Sequence, residues 1–326
     1  MVSGSFGDLL KLAIMKIGTL GDFLSYQIFR LAILPFRLGS LRWARTLGRS
    51  LGLFAYHVIP IRKRVVEKNL RHYFGQEWDE ARLKAGVRDA YLGMGLAIGE
   101  FAFGEKLGPK NIEQYVRIEG LEHYEAAHRA GRSVILYGGH QAMWEWAVSF
   151  PHFLQRPFHV VMKRIHNDYL DGHIKRRRSK FGVVAISQRG AIRELKELTD
   201  ADVDYGVFID QRAARGKGVW VNVRGNPVSA MPGAAILALR GNLSVIPIRV
   251  LRAEHGMIFR FHAPLAFTPG PDFEKDVQTL TQMMNDPITE WVAERPADYF
   301  WMHDRFKIHA DEQDIAANFA RTTPAV

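Results

Sequence analysis

The point at which strand patterns begin restricts the fold more than any other feature of this sequence. Before Val116 the chain carries only helical periodicity, with breaks expected at Pro35, Gly39, Pro60 and Gly75 and a long Ala-, Leu- and Gly-rich stretch from Trp78 to Gly104. After it, short apolar runs alternate with helical stretches. A helix near Leu121 to Ala130 stops at Gly131, and Ser133-Val-Ile-Leu-Tyr137 reads as a buried strand. Further strands are predicted at Phe158 to Met162, Val183 to Ala185, Tyr205 to Ile209, Val219 to Val223, Leu243 to Val250 and Met257 to His262. Helices are predicted near Ala142 to Leu154, Asp168 to Lys180, Ala191 to Leu198, Gly233 to Leu239 and Phe273 to Glu294. Strands alternating with helices predict an α/β fold with a mixed, mainly parallel sheet flanked by helices and joined by crossovers. The expected division is an N-terminal helical region over 1–75, an α/β domain over 76–308, and a loosely held polar tail over 309–326.

Charge and residue usage narrow the chemistry. With 326 residues and 47% of them hydrophobic, the chain can bury one sizeable core. It has no cysteine, which excludes disulfides, thiolate zinc sites and a cysteine nucleophile. The formal net charge of +10 implies an anionic partner: nucleic acid, anionic lipid headgroups or a phosphorylated substrate. The N-terminus favours lipid. Asp8, Lys11 and Lys16 interrupt the apolar run a cleavable signal requires. The apolar stretch from Phe23 to Phe36 contains Arg30 and Pro35, and falls short of the roughly 20 apolar residues of a spanning helix. From Arg30 to Arg71 ten Lys or Arg residues and one acid, Glu67, are interleaved with residues such as Leu31, Ile33, Phe36, Trp43 and Phe54. Such a pattern predicts helices lying in a headgroup layer; the competing reading is a solvated face packed on the core by its apolar side. No recognisable nucleic-acid-binding module accompanies the charge, so nucleic acid is not an expected partner.

In an open α/β sheet, function gathers where strands end, which directs attention to Tyr137-Gly-Gly-His140 after the most apolar strand. Two glycines permit an unusual turn and close approach of a substrate. Glu145 follows five residues later. Residues five apart on a regular helix point about 140° away from each other, so His140 must precede the helix that carries Glu145. In that arrangement the Glu145 carboxylate reaches Nδ1 and leaves Nε2 free to take a proton from an alcohol. The spacing itself recurs at His72 and Glu77, His166 and Asp171, and His309 and Asp314. Only His140 follows a buried strand and a glycine pair. A satisfied core histidine beside a helix-terminal acid stays open as the alternative. The closely spaced second histidine of a helical zinc-protease motif is missing, and no metal site is expected.

The run Tyr137-Gly-Gly-His-Gln-Ala-Met-Trp-Glu-Trp146 resembles the motif, His then four residues then an acid, of the bacterial lipid A biosynthesis lauroyl/myristoyl acyltransferases. The resemblance continues through Arg164-Ile-His-Asn-Asp-Tyr-Leu170, Arg176-Arg-Arg-Ser-Lys-Phe-Gly182, Phe208-Ile-Asp-Gln211 and Asp298-Tyr-Phe-Trp-Met-His-Asp-Arg-Phe-Lys307, in the same order, across residues 10–308. It implies a glycerolipid-acyltransferase-like fold with an N-terminal membrane-associating region, and His140 and Glu145 as the catalytic pair. Arg164, Asn167 and Arg178 match the basic block that would hold a phosphate or the thioester carbonyl; the competing reading is a solvated basic helix face. Asp210 and Gln211 match an acid-glutamine pair that orders the site or closes a turn. The resemblance further implies an acyl-carrier-protein or coenzyme A thioester as donor, a glycolipid acceptor, no cofactor, and a place on an anionic membrane surface at the cytoplasmic face of the inner membrane. Two departures, Val219-Trp-Val-Asn-Val-Arg-Gly-Asn-Pro227 and Arg240-Gly-Asn242, leave the acceptor open. A phosphatidylinositol mannoside acyltransferase, or another glycolipid or aminolipid acyltransferase, is the near alternative. An idle membrane lipid-binding protein is the alternative of another class, and it would not need His140, Glu145 and Arg164 together.

Overall fold

The computed structural model describes residues 6–162, 165–187 and 203–322, with side chains from Thr19 to Arg321. Four helices come first: α1 (Phe6–Leu38), α2 (Leu41–His57), α3 (Lys63–Phe74) and α4 (Glu80–Phe103). The predicted breaks at Gly39, Pro60 and Gly75 lie between helices, whereas α1 runs through Pro35 without ending. The first strand is β1 (Val116–Glu119), followed by α5 (Leu121–Arg129), β2 (Val134–Gly138), α6 (Phe150–Leu154), β3 (Phe158–Met162), α7 (Asp168–Ser179) and β4 (Val183–Ser187). The chain continues through β5 (Asp204–Phe208), β6 (Val219–Val223), β7 (Asn226–Ala230), α8 (Gly233–Gly241), β8 (Ser244–Ala253), β9 (Gly256–Phe261), α9 (Phe273–Glu294) and α10 (Gln313–Thr322). The predicted helix at Ala191 to Leu198 lies outside the described residues.

Among the described residues, seven strands form one sheet in the order β1-β9-β8-β2-β5-β3-β4, and β6 and β7 form a separate antiparallel hairpin. From β8 to β4 every pairing is parallel; β9 runs antiparallel to β8, and β1 pairs with it. The sheet is mixed and mainly parallel. A parallel sheet is covered on both faces, and β2 shows this residue by residue. Ile135 and Tyr137 enter the core shared with α3, α4, α8 and α9, while Val134 and Leu136 enter the opposite core with α5 and α6.

Strand order creates the crevice that matters. From β2 the chain turns toward β3 on one side, whereas from β5 it passes through the hairpin and α8 to β8 on the other. The boundary between β2 and β5 is therefore a topological switch point, open at the carboxyl ends of both strands.

The helical layer is locked to this sheet by charge as well as packing. Gly48 and Gly52 of α2 meet Gly95 and the Tyr91 carbonyl of α4 backbone to backbone, and a Cβ on Gly95 would collide with Gly48 O. Such approach is open only to residues without a side chain. Below it, the fully buried Glu100 accepts from Arg45 Nε at 2.8 Å and from Arg252 Nε and Nη2 at 2.8 and 3.0 Å. Arg252 also pairs with Asp298, at the start of the segment that follows α9. Breaking one partner out of a buried ionic cluster costs about 3–5 kcal/mol, because the others are left unpaired. This cluster thus fixes α2, α4, β8 and the Asp298 segment relative to one another.

The two ends of the chain are informative in different ways. The tail expected to be loose forms α10, with Ala316 and Glu312 buried, and Arg215 and the Gly216 amide bond Asp311 and Glu312. In the N-terminal region, Leu20, Leu24, Ile28, Leu31, Leu34 and Leu38 of α1 recur every three or four residues and are all exposed, while Ile33 and Phe36 turn inward. Trp43, Leu51 and Phe54 of α2 and Val58, Ile59 and Ile61 beyond it are exposed too. No helix among the described residues is long and apolar enough to cross a membrane.

Candidate functional site

The site grows from the ends of β2 and β5. Gly138 and Gly139 have ordinary backbone angles, and what they supply is space: a Cβ on Gly138 would lie 2.7 Å from Ile248 O, and one on Gly139 2.8 Å from Ile288 Cγ2. The strain expected in this turn falls instead on Ala142, whose φ is +48°. Asp298 to Phe300 runs antiparallel beside the turn. Ala142 N donates to Asp298 O at 2.8 Å, and Phe300 N donates to His140 O at 3.0 Å. Gln141 and Tyr299 form a bridge between these bonds. His140 is thereby held by its backbone on both sides.

Its ring is held by Asp210, which lies just past β5. Ile209 N donates to Gly138 O at 3.0 Å, prolonging the ladder between the strands by one bond. Asp210 then receives His140 N on Oδ2 at 3.0 Å, and its Oδ1 lies 2.6 Å from His140 Nδ1. An ionised carboxylate only accepts, so Nδ1 carries the proton and the lone pair of Nε2 points away from the pair. Burial alone would push the Asp210 carboxyl up, but the imidazole, its hydrogen bonds and the charge of Arg305 outweigh it and hold the group well below the usual carboxylate range. Trp144, Phe208 and Phe300 surround the imidazole at ring-centroid distances of 5.0, 5.3 and 6.4 Å. Gln211 Nε2 lies 3.4 Å from His140 Nε2, at the ring atom that Asp210 leaves free.

Glu145 does not take the place expected for it. The chain after His140 makes a turn and enters a 3-10 helix at Trp144, not a regular α-helix, and the Glu145 carboxylate faces α7. There it receives Arg178 Nη2 at 2.5 Å and Nε at 3.3 Å. The expectation that Glu145 orients Nδ1 is corrected: Asp210 does so, because the register of β2 and β5 brings their ends side by side. Arg178, read as a phosphate or carbonyl ligand, is engaged by Glu145 and by Met162 Sδ. Asn167 caps α7 through Leu170 N at 3.0 Å and donates to Asp22 O at 2.9 Å, tying α7 to α1. Arg164 lies outside the described residues.

Two buried residues of this site carry no role in the sequence reading. Tyr299 OH donates to Asp210 O at 3.5 Å, and Arg305 Nη1 donates to Tyr299 OH at 3.3 Å. The motif Asp298 to Lys307 pointed to the segment without distinguishing these side chains. His303 accepts Arg212 N on Nε2 at 2.9 Å.

The fold and site define a class of protein: an α/β fold with a histidine oriented by a carboxylate at the switch point of a mainly parallel sheet. Residues 19–308 match the model of the bacterial lipid A biosynthesis acyltransferases, and the chain belongs to that family of acyltransferases. A lipid A biosynthesis acyltransferase of Haemophilus influenzae is 22% identical over 299 residues, covering 89% of this chain and 88% of its own. A lipid A biosynthesis lauroyltransferase of Escherichia coli is 24% identical over 277 residues, covering 80% and 84%. A phosphatidylinositol mannoside acyltransferase of Mycobacterium tuberculosis is 24% identical over 192 residues, covering 58% and 59%.

Burial sets one pH dependence. It lowers the pKa of His303 below the ordinary 6.5, with Arg212, His140 and Arg305 lowering it further and Asp210 opposing; burial lowers His159 likewise. The unfolded chain binds these protons as pH falls through 6.5 and the folded chain does not, so stability declines with falling pH below that value. Thermal unfolding at about pH 5.5 is therefore expected at a lower temperature than at about pH 7.5, with a smaller difference in His303→Asn; an equal difference in wild type and variant would contradict the assignment.

Proposed function

We propose that this acyltransferase moves a fatty-acyl chain from an acyl-carrier-protein or coenzyme A thioester to a hydroxyl of a membrane glycolipid, with a lipid A precursor as the leading acceptor. The observation that carries the reading is the 2.6 Å contact between His140 Nδ1 and Asp210, which leaves Nε2 as a base. His140 Nε2 takes the proton of the acceptor hydroxyl while that oxygen attacks the thioester carbonyl. The tetrahedral intermediate collapses, the C–S bond breaks, and the departing thiolate takes the proton back from the imidazolium. Asp210 keeps the ring in the required tautomer and favours the imidazolium as it forms. The ion pair between Glu145 and Arg178 borders the turn that carries His140, and on this reading Glu145 acts by placing Arg178.

The acceptor has a second reading. The similarity to the mycobacterial enzyme supports a phosphatidylinositol mannoside or related glycolipid. The exposed apolar stripe of α1, beside Arg30, Arg37 and Arg42, supports peripheral attachment to an anionic bilayer, which on this reading is the cytoplasmic face of the inner membrane.

Transfer is to be measured from acyl-carrier-protein and coenzyme A thioesters of several chain lengths to extracted glycolipids of both kinds. His140→Ala and Asp210→Asn are each expected to lower the rate about 10²–10⁴-fold. Glu145→Gln is expected to act through Arg178, matching Arg178→Gln without further loss in the double variant. Undiminished transfer by folded His140→Ala would end the mechanism, and the product's mass identifies acceptor and chain length. Attachment is checked by sedimentation with vesicles of anionic lipid: the wild type is expected in the pellet and a Leu24→Glu, Ile28→Glu, Leu31→Glu variant in the supernatant. Equal pelleting of both would remove α1 as the anchor.

A further inference from the structure

Arg305 is an arginine with almost no access to water, exposed by only 2%, and among the described residues no carboxylate lies within ion-pair distance of it. Its guanidinium is held by neutral groups: Nη2 donates to Asn285 Oδ1 of α9 at 2.8 Å, and Nη1 to Tyr299 OH at 3.3 Å. A buried cation is costly unless its charge is answered nearby. The same Tyr299 hydroxyl donates to the backbone carbonyl of Asp210 at 3.5 Å, so the buried cation stands two hydrogen bonds from the residue whose side chain orients His140.

We propose that Arg305 is a positioning residue for acyl transfer, a fixed buried cation that balances Asp210 so that the carboxylate orients His140 without drawing a second proton onto the ring. The proposal rests on the reading of His140 as general base. An Asp210 carboxylate alone in a buried site would favour the imidazolium strongly, and an imidazolium cannot accept a proton from the acceptor hydroxyl. With Arg305 present, the pair of Asp210 and Arg305 is neutral as a unit, and the ring keeps the Nδ1 hydrogen bond while Nε2 stays unprotonated. Among the described residues, the other charged or titratable groups that act on the pair are Tyr299 and His303 on the same segment, Arg212 two residues past Asp210, and Tyr73 of α3. The phenol of Tyr299 is pushed well above its ordinary value, by burial first and by Asp210 second, so it stays a neutral bridge.

The test is the titration of His140, followed by NMR on the full chain with labelled histidine and the resonance assigned through His140→Ala. Removing the cation in Arg305→Gln is expected to raise the midpoint by about one pH unit, a tenfold change in the acid constant, and Arg305→Lys is expected to restore it. Asn285→Asp gives an independent route, since it leaves the guanidinium in place but sets a carboxylate against it; the midpoint should rise in the same direction. The acidic limb of kcat/KM should move with the midpoint in each variant, which lost packing alone would not cause. A midpoint unchanged in folded Asn285→Asp and Arg305→Gln would overturn the proposal. Because the titration needs no turnover, its failure is distinguishable from failure of the general-base reading, which shows as undiminished transfer by His140→Ala.

Discussion

Parallel pairing of β2 with β5 is the constraint on which this structure depends. The register sets Gly138 opposite Phe208, and one further ladder bond from Ile209 N to Gly138 O carries the alignment past the end of both strands. Two residues beyond each strand end stand His140 and Asp210, in contact. A slip of one residue would turn every side chain of β2 to the other face and separate the pair. Register is secured because β2 is buried on both faces, with Ile135 and Tyr137 committed to one core and Val134 and Leu136 to the other. Packing energy spread over the whole domain is thus what holds a 2.6 Å contact in place.

The surroundings of this contact are supplied by elements distant in the chain. Asp298 to Phe300 lies along the His140 turn as a short antiparallel strap, and Arg252 anchors the strap to Glu100 of α4. Arg45 joins the same glutamate from α2. The N-terminal helices, which expose an apolar stripe outward, are therefore bound inward to the segment that touches the site. Asn167 adds a second tie, from the start of α7 to α1, and α7 carries the Arg178 that engages Glu145.

Much of the architecture was legible because burial leaves a pattern. Strands β2, β3, β6, β8 and β9 are apolar runs, and α9 was read to the residue from its periodicity and bounding polar segments. Strand β7 was missed because Asn226, Pro227 and Ser229 lower its apolar content, yet it needs only one partner in a hairpin. Helix α10 was missed because its apolar residues make no clear buried stripe: Ala316 is buried while Ile315 stays exposed. Pro35 was overread as a break: α1 runs through it and ends only at Leu38. In the site, His140 was found because a glycine pair after a buried strand is a local signal. Its true partner was named only as part of a matching motif. No periodicity tells that β5 lies beside β2, since that depends on strand order, and Asp210 stands 70 positions away from His140. Glu145, close in sequence, was assigned by assuming a regular helix where the chain forms a tighter 3-10 turn.

The central claim is that Asp210, not Glu145, holds the proton on Nδ1 of His140. It is tested most directly by the imidazole Nδ1–H resonance of His140 in proton NMR of the resting enzyme, compared across wild type, Glu145→Gln and Asp210→Asn. A short bond to an ionised carboxylate gives a far-downfield signal protected from exchange. The account predicts that this signal survives in Glu145→Gln and is lost or moves strongly upfield in Asp210→Asn. Loss in Glu145→Gln with retention in Asp210→Asn would contradict it.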